Sequence, residues 1–445
     1  MSRVWRARHA STDIPVAVKV MTEEISRNTT YKAMFNREIR ATAQLRHPGV
    51  ALVLDHGEIP EDVAGRIAGL APGCPYLVTE YASGGSLAQR QRQSWPALLD
   101  ILTQLLEALA HAHARGVIHR DVKPANLLFC TDGDVRPGWK LADFGIAVFA
   151  DELRPEAGMM GTLRYMAPEQ LLGNVHLMGP WTDLYAVGII AYRLASGKRP
   201  FTGETSLKAA HKKLYEIAPP LPQTSGVPIK LRRWVSRLLE RDPGRRYRCA
   251  ADALWALTSI DADTYETAPP VPSSWRRGSP RPLPVKLVGA GLGVFGLRSV
   301  PIVGRVRSRN RLWQALRDVH ETRRPKAVLI RGTEGVGKSC LAGWLGERAE
   351  EVGASTTWES GEAGPEQGLG DVLRVRGETG EDLRQLVATA VGRWGGTDVD
   401  IDMAVTLLDP GSGGAKLTSP SRRYGALVRL LQLAARNRPI TIRVE

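Results

Sequence analysis

The sequence predicts an α+β unit over residues 1–258 followed by a smaller α/β unit over 301–445, and three observations carry that expectation. The first is the change of hydrophobic period within the leading zone. Pro15-Val16-Ala17-Val18-Lys19-Val20 alternates like a strand, whereas Leu98, Leu99, Leu102, Leu105, Leu106 and Leu109 make an apolar stripe of helical spacing between Trp95 and Arg115. The second is a stretch rich in Pro, Ser and Gly over residues 259–300, including Pro269, Pro270, Pro272, Pro280, Pro282 and Pro284, which reads as a semi-rigid linker. The third is the alternation of short apolar runs with charged helical segments from about residue 301 onward.

Composition sets the outer bounds. The chain has 445 residues, 43% hydrophobic and 24% charged, which excludes a disordered, collagen-like or disulfide-stapled protein. At about 150 residues per domain, two or three domains are expected. Cys74, Cys130, Cys249 and Cys340 stand far apart, without metal-ligand spacing, and suit a reducing compartment. Sixty basic against 46 acidic side chains leave a net charge of +14, spread in short Arg pairs that read as solvated surface. With no recognition-helix pattern on a basic face, nucleic acid is not an expected partner. The start Met1-Ser2-Arg3-Val4-Trp5-Arg6 has no apolar signal region. The best membrane candidate, residues 287–297, would span about 16 Å as a helix against a hydrocarbon core of roughly 30 Å. Its glycines suggest a packed connector or a tight turn, so no membrane partner and a cytoplasmic location are expected.

In the first unit five short motifs occur in one order. Val16-Ala17-Val18-Lys19 is followed by Glu38 in a helical stretch. His119-Arg120-Asp121-Val122-Lys123-Pro124-Ala125-Asn126 comes next, then Asp143-Phe144-Gly145, then Ala167-Pro168-Glu169. Each string is common alone, but five in register across about 150 residues are not expected by chance. The unit resembles a eukaryotic-type Ser/Thr protein kinase of the bacterial kind across essentially all of residues 1–258. The resemblance implies a bilobal protein-kinase fold and transfer of the γ-phosphate of ATP to Ser and Thr hydroxyls of protein substrates. A transferred phosphoryl group spreads its charge over equatorial oxygens, so positioning and electrostatics dominate the catalysis.

By that resemblance Lys19 holds the α- and β-phosphates and is fixed by Glu38. Asn126 and Asp143 bind Mg²⁺, which prefers oxygen ligands. Asp121 orients or accepts the proton of the attacking hydroxyl, and Lys123 steadies the γ-phosphate. The run Tyr76 to Gly85 resembles the hinge between lobes, with backbone groups of Glu80 and Ala82 bonding adenine and Thr79 as gatekeeper. Val4, Ala17 and Leu128 would sandwich the ring, although core packing would bury the same three side chains. Lys123 and Gly161-Thr162 resemble Ser/Thr rather than Tyr kinases. Asp183 is expected to brace the catalytic-loop backbone, and Glu169 to pair with Arg246 in the large lobe.

Two departures qualify the resemblance. The Gly-rich loop and first strand are missing, because Val4 stands where the last residue of that motif belongs. Backbone donors to phosphate contribute about 1.5–3 kcal/mol each, so losing two weakens nucleotide binding by roughly two to four decades. A weak kinase is therefore expected from residues 1–445 as they stand, with an uncovered sheet edge. The second departure is the absence of Ser, Thr or Tyr between Gly145 and Gly161. Asp151, Glu152 or Glu156 could answer Arg120 in place of a phosphate, so activation without phosphorylation of that segment is expected.

In the second unit Ala327-Val328-Leu329-Ile330-Arg331 reads as a buried strand. It runs into Gly332-Thr333-Glu334-Gly335-Val336-Gly337-Lys338-Ser339, and a helical segment follows from Leu341 to Glu350. This strand–loop–helix order is what a phosphate-binding P-loop requires. Lys338 would reach the β- and γ-phosphates and Ser339 would ligate Mg²⁺, with Gly332, Gly335 and Gly337 freeing backbone N–H groups. With Pro301-Ile302-Val303-Gly304-Arg305 upstream, the unit resembles AAA-like ATPases of the signal-transduction type. A helix from Arg422 to Arg436 and a strand from Pro439 lead to Glu445, the first carboxylate of the second ATPase motif. The rest of that motif is absent, so a partial α/β P-loop NTPase domain that binds ATP is expected. A different class of function also fits: a catalytically weak, nucleotide-gated signalling scaffold built from a pseudokinase and an ATPase module. Only the missing loop favours it, since Lys19, Glu38, Asp121, Asn126 and Asp143 are all present.

Overall fold

The computed structural model describes the whole chain except residues 1, 27–28, 65, 67–69, 145–161, 204, 224–225, 261–270, 277–286, 288–291, 298–301, 361–368, 371, 374–379, 410–416, 418, 437 and 445. Four antiparallel strands open the chain: β1 (Ser2–Arg8), β2 (Pro15–Met21), β3 (Val53–Glu58) and β4 (Pro75–Glu80), in the order β1-β2-β4-β3. Strand alternation decides what each face carries. Cross-strand partners Val4 and Lys19, and Ala17 and Thr79, put those four residues on one face of the sheet. Helix α1 (Thr29–Gln44) packs Phe35, Ile39 and Ala43 onto Met21, Val53 and Leu77.

A helical lobe follows. Helix α2 (Trp95–His113) buries Leu98, Leu102, Leu105, Leu106 and Leu109 of the expected stripe. The hairpin β5 (Leu127–Cys130) and β6 (Gly138–Leu141) lies against it. Helix α3 (Pro180–Ser196) is apolar nearly all round and is correspondingly buried along almost its whole length. Gly197, at φ 76°, ends it in a left-handed cap. Helices α4 (Ser206–Tyr215), α5 (Lys230–Leu238) and α6 (Ala250–Thr258) complete the lobe. Gly188 lets α3 and α5 approach closely, for a Cβ there would stand 2.8 Å from the Leu238 Cβ.

The interval expected to be a linker contributes to both flanking units. Leu287 packs with Ile14, Val16 and Leu54, and a 3₁₀ segment, Leu292–Leu297, lies on α1 and β3. Val294, 0% exposed, joins the cluster of Met21, Phe35 and Ile39. Val271 packs instead with Trp313, Leu316 and Ala349. The described part of that apolar run, Leu287 and Leu292–Leu297, is thus packed, and among the described residues no helix is long and apolar enough to cross a membrane.

Beyond it come α7 (Val306–Thr322), α8 (Lys338–Glu351), β7 (Thr356–Ser360), α9 (Gly380–Arg393), α10 (Asp398–Leu408), α11 (Pro420–Ala435) and β8 (Ile440–Val444). Strands β7 and β8 pair in parallel, from Thr356 opposite Ile440 to Ser360 opposite Val444. Leu383, Val387, Val391, Val405, Leu427 and Leu430 form a core among the last helices. The buried strand expected over residues 327–331 is not found. Those residues are in no strand, with Val328 and Leu329 turned to solvent. The reason is the lack of a ladder partner: β8 bonds β7 and not this segment, so nothing covers its side chains.

Candidate active site

The two lobes meet where the motif residues converge. From β2, the Lys19 ammonium donates to the Asp143 carboxylate at 2.9 Å and lies 5.9 Å from the Phe35 ring of α1. Glu38 lies on α1, and its side chain is outside the described part of the structure. Asp143, at φ 53°, and Arg120, at φ 62°, both hold left-handed backbone that non-glycine residues rarely adopt. Strain at these two positions persists because the surroundings fix it.

Asp183 supplies much of that fixing. Its carboxylate, 1% exposed at the start of α3, accepts the backbone N–H of His119 at 2.9 Å and of Arg120 at 2.7 Å. His113, at the end of α2, bonds the same carboxylate at 2.8 Å. Burial alone would raise the Asp183 carboxyl, but the bond from His113 and the neighbouring imidazoles hold it below the ordinary value. The His119 ring is buried against Phe144, with centroids 4.6 Å apart, and its Nε2 bonds the Ala142 carbonyl at 3.1 Å. Burial pushes its pKa down despite Asp183 and Asp121 nearby, so it is neutral at pH 7.

The catalytic-loop carboxylate is held differently. Asp121 accepts from Lys123 Nζ at 2.7 Å and from Asn126 Nδ2 at 3.1 Å, and the same amide bonds the Asp121 carbonyl at 2.9 Å. Asn126 also accepts the Ala142 N–H at 2.9 Å through its backbone, which ties the Asp121 loop to the strand leading into Asp143. The structure therefore brings Lys19, Asp121, Lys123, Asn126 and Asp143 to one cleft. That cleft offers an ammonium and a carboxylate–amide oxygen pair beside an anchored carboxylate, a donor set that fits a polyphosphate with a divalent ion.

Val4, 64% exposed, and the half-buried Ala17 and Leu128 are outside the buried cores. Ala82 is half-buried in irregular chain after β4. The Glu80 N–H is taken by the Leu52 carbonyl at 3.0 Å. Its side chain is buried against Arg136, which donates through Nε at 3.0 Å. Sequence reasoning missed this Arg136, as it missed His113 and Gln170, whose Nε2 bonds the Arg120 carbonyl at 2.7 Å. No local pattern marks them, since each partner lies about 50 residues or more away in sequence. Thr182 donates to Glu169, and Arg246 bonds both oxygens of that carboxylate at 2.8 and 2.9 Å. The segment from Gly145 to Gly161, with Asp151, Glu152 and Glu156, lies outside the described residues.

The glycine-rich segment ahead of α8 stands apart from this cleft. Gly335 at φ 74° and Gly337 at φ 85° use left-handed backbone to curl the loop onto the start of α8. Lys338 Nζ donates back to the carbonyls of Gly332 and Thr333, at 3.2 and 3.0 Å. Arg305 reaches the Val336 carbonyl at 2.9 Å, and Ser339 is exposed. Loop and helix are in place; the preceding strand is not, and Glu445 is outside the described residues.

Fold, braced loop and convergent carboxylates define a phosphotransferase of the two-lobed kind, and the protein kinase domain family matches residues 1–255. The chain belongs to that family. Among its relatives, the serine/threonine-protein kinase PknA of Mycobacterium tuberculosis is 37% identical over 316 residues, covering 68% of this chain and 70% of the relative. The serine/threonine-protein kinase PknL of the same species is 35% identical over 277 residues, covering 60% and 64%. The serine/threonine-protein kinase PknB of Mycobacterium leprae is 31% identical over 313 residues, covering 68% and 47%. The chain is a protein serine/threonine kinase.

Proposed function

We propose that the kinase uses ATP and Mg²⁺ at the cleft between β2 and the Asp121 loop, and that a P-loop module over residues 301–445 binds a second nucleotide. The observation that carries the first part is the junction of Lys19 with Asp143 and of Asp121 with Asn126, joined through the Ala142–Asn126 backbone bond. When bound, Mg²⁺ would neutralise phosphate charge between the Asn126 and Asp143 oxygens. Lys19 holds the α- and β-phosphates, with Glu38 of α1 as the partner the resemblance implies. Asp121 orients the acceptor hydroxyl and takes its proton, while Lys123 moves from Asp121 to the γ-phosphate. The Glu80 carbonyl and Ala82 hold the adenine edge, and Val4, Ala17 and Leu128 cover its faces. Four cysteines without disulfides, Cys340 exposed among them, support a cytoplasmic setting.

The distal reading rests on the curled loop at the start of α8, where Gly332, Gly335, Gly337 and Lys338 would enclose phosphates and Ser339 would ligate the ion. Two variants of the full chain separate the sites. Asp121→Asn should cut phosphate transfer to protein by about 10²–10⁴-fold while ATP still binds. Lys338→Ala should leave that transfer in place and remove one of two ATP equivalents seen by equilibrium dialysis. Retained transfer in the first variant, or undiminished stoichiometry in the second, refutes the respective assignment.

A further inference from the structure

Lys213 lies on α4 with only 1% of its surface exposed. Its ammonium donates to the carbonyls of Leu163 at 2.8 Å and Met166 at 3.0 Å, the two ends of one tight turn. That turn, begun by the 3₁₀ segment Thr162–Arg164, leads directly into Ala167–Gln170. Gln170 in turn bonds the Arg120 carbonyl, one residue from Asp121, so residues 162–166 stand at the edge of the pocket around the catalytic carboxylate. We propose that Lys213 is a positioning residue for the protein substrate, holding the Thr162–Met166 turn that forms the acceptor side of the cleft.

The other fastenings of this segment are of a different kind. Glu169 is shared by Arg246 and Thr182, and Arg164 bonds the Ser206 hydroxyl at 3.2 Å. Among the described side chains Lys213 is the one that bonds the Leu163 and Met166 carbonyls, and no described carboxylate pairs with it. Around it the charged or titratable groups are Arg164, Tyr165 and Glu169, the last already engaged by Arg246, and Arg241, which donates to the Leu214 carbonyl at 3.2 Å. On its own helix they are Lys208, His211, Lys212 and Tyr215, the last two rings stacked on each other being His211 and Tyr215. Burial without a counter-charge pushes the Lys213 pKa down to about 7. Above that pH the neutral amine still donates to both carbonyls, and a turn that let Lys213 return to water would restore its ordinary pKa. Release of the turn therefore becomes costlier as pH rises from 7 toward 10.5.

The test uses the full chain with myelin basic protein as acceptor. Lys213→Met keeps the side-chain length and deletes the donors. It should raise KM for the acceptor about tenfold, the loss of one charge-assisted bond, with KM for ATP changed less than twofold. Should the variant not fold, hydrogen exchange in the unaltered protein decides alone. Equal changes in both KM values overturn the proposal, because a general loss of structure does that. Hydrogen exchange needs no turnover. The amides of residues 163–167 should gain protection as pH rises from 7 to 9, after correction for intrinsic rates, and no gain in that window overturns the proposal.

Discussion

Asp183 accepts bonds from His113 and from two successive backbone amides of the catalytic loop while almost wholly removed from water. An amide side chain of the same shape lacks the charge and presents a donor where an acceptor is needed. Asp183→Asn is therefore expected to cost about 3 kcal/mol in urea unfolding, the range for breaking a buried pair, and to lower activity through the Asp121 loop. Titration adds a second expectation at this scale. The depressed Asp183 and His119 both favour the folded state more at higher pH: Asp183 loses its contribution only in strong acid, and His119 begins to lose its own as pH falls below its ordinary value of 6.5. Lys213, depressed to about 7, adds stability as pH rises from 7 toward its unfolded value of 10.5. The melting temperature should rise from pH 5 to pH 9, and in Lys213→Met the part above pH 7 should disappear.

Among the secondary elements, α2 and β2 were readable because their hydrophobic periods are long and local, and the structure ends them within two residues of expectation. The catalytic loop was readable for another reason, its spacing of charged residues. The segment of residues 287–297 was only partly readable. Its apolar content demanded burial, but nothing in its neighbours named α1 and β3 as the surface that receives it. Residues 327–331 were misread because an apolar run was equated with burial, which depends on a partner strand. The docking of Val294 between Phe35 and Ile39 has a measurable weight. Val294→Ala should destabilise the strand lobe by about 2 kcal/mol, and Val294→Asp by more, with faster hydrogen exchange in α1 and little change in α3. Equal exchange in both helices would contradict this packing role.

Over the whole molecule, the C-terminal unit touches the helical lobe through buried charge. Glu351, at the end of α8, bonds His111 of α2 at 2.9 Å across 240 residues of sequence. Arg348 approaches the same carboxylate at 3.1 Å, and Arg115 reaches Glu347 at 3.0 Å. Arg438 pairs with Asp252 of α6 on the other side. Such contacts have no local signature, so the sequence separated the two units without indicating that they touch. Glu351→Ala leaves Arg348 and His111 without their shared carboxylate and should cost about 3 kcal/mol or more. Calorimetry is expected to give one transition for the unaltered protein and two for the variant.

The uncovered stretch ahead of Gly332 bears on how the protein behaves in concentrated solution. Leu329, 73% exposed, and Val328 sit in a segment whose residues belong to no sheet. A second molecule could supply the missing ladder, and sticky self-association at raised concentration is the consequence. A single acidic residue at position 329 should keep light-scattering samples monodisperse to higher protein loads.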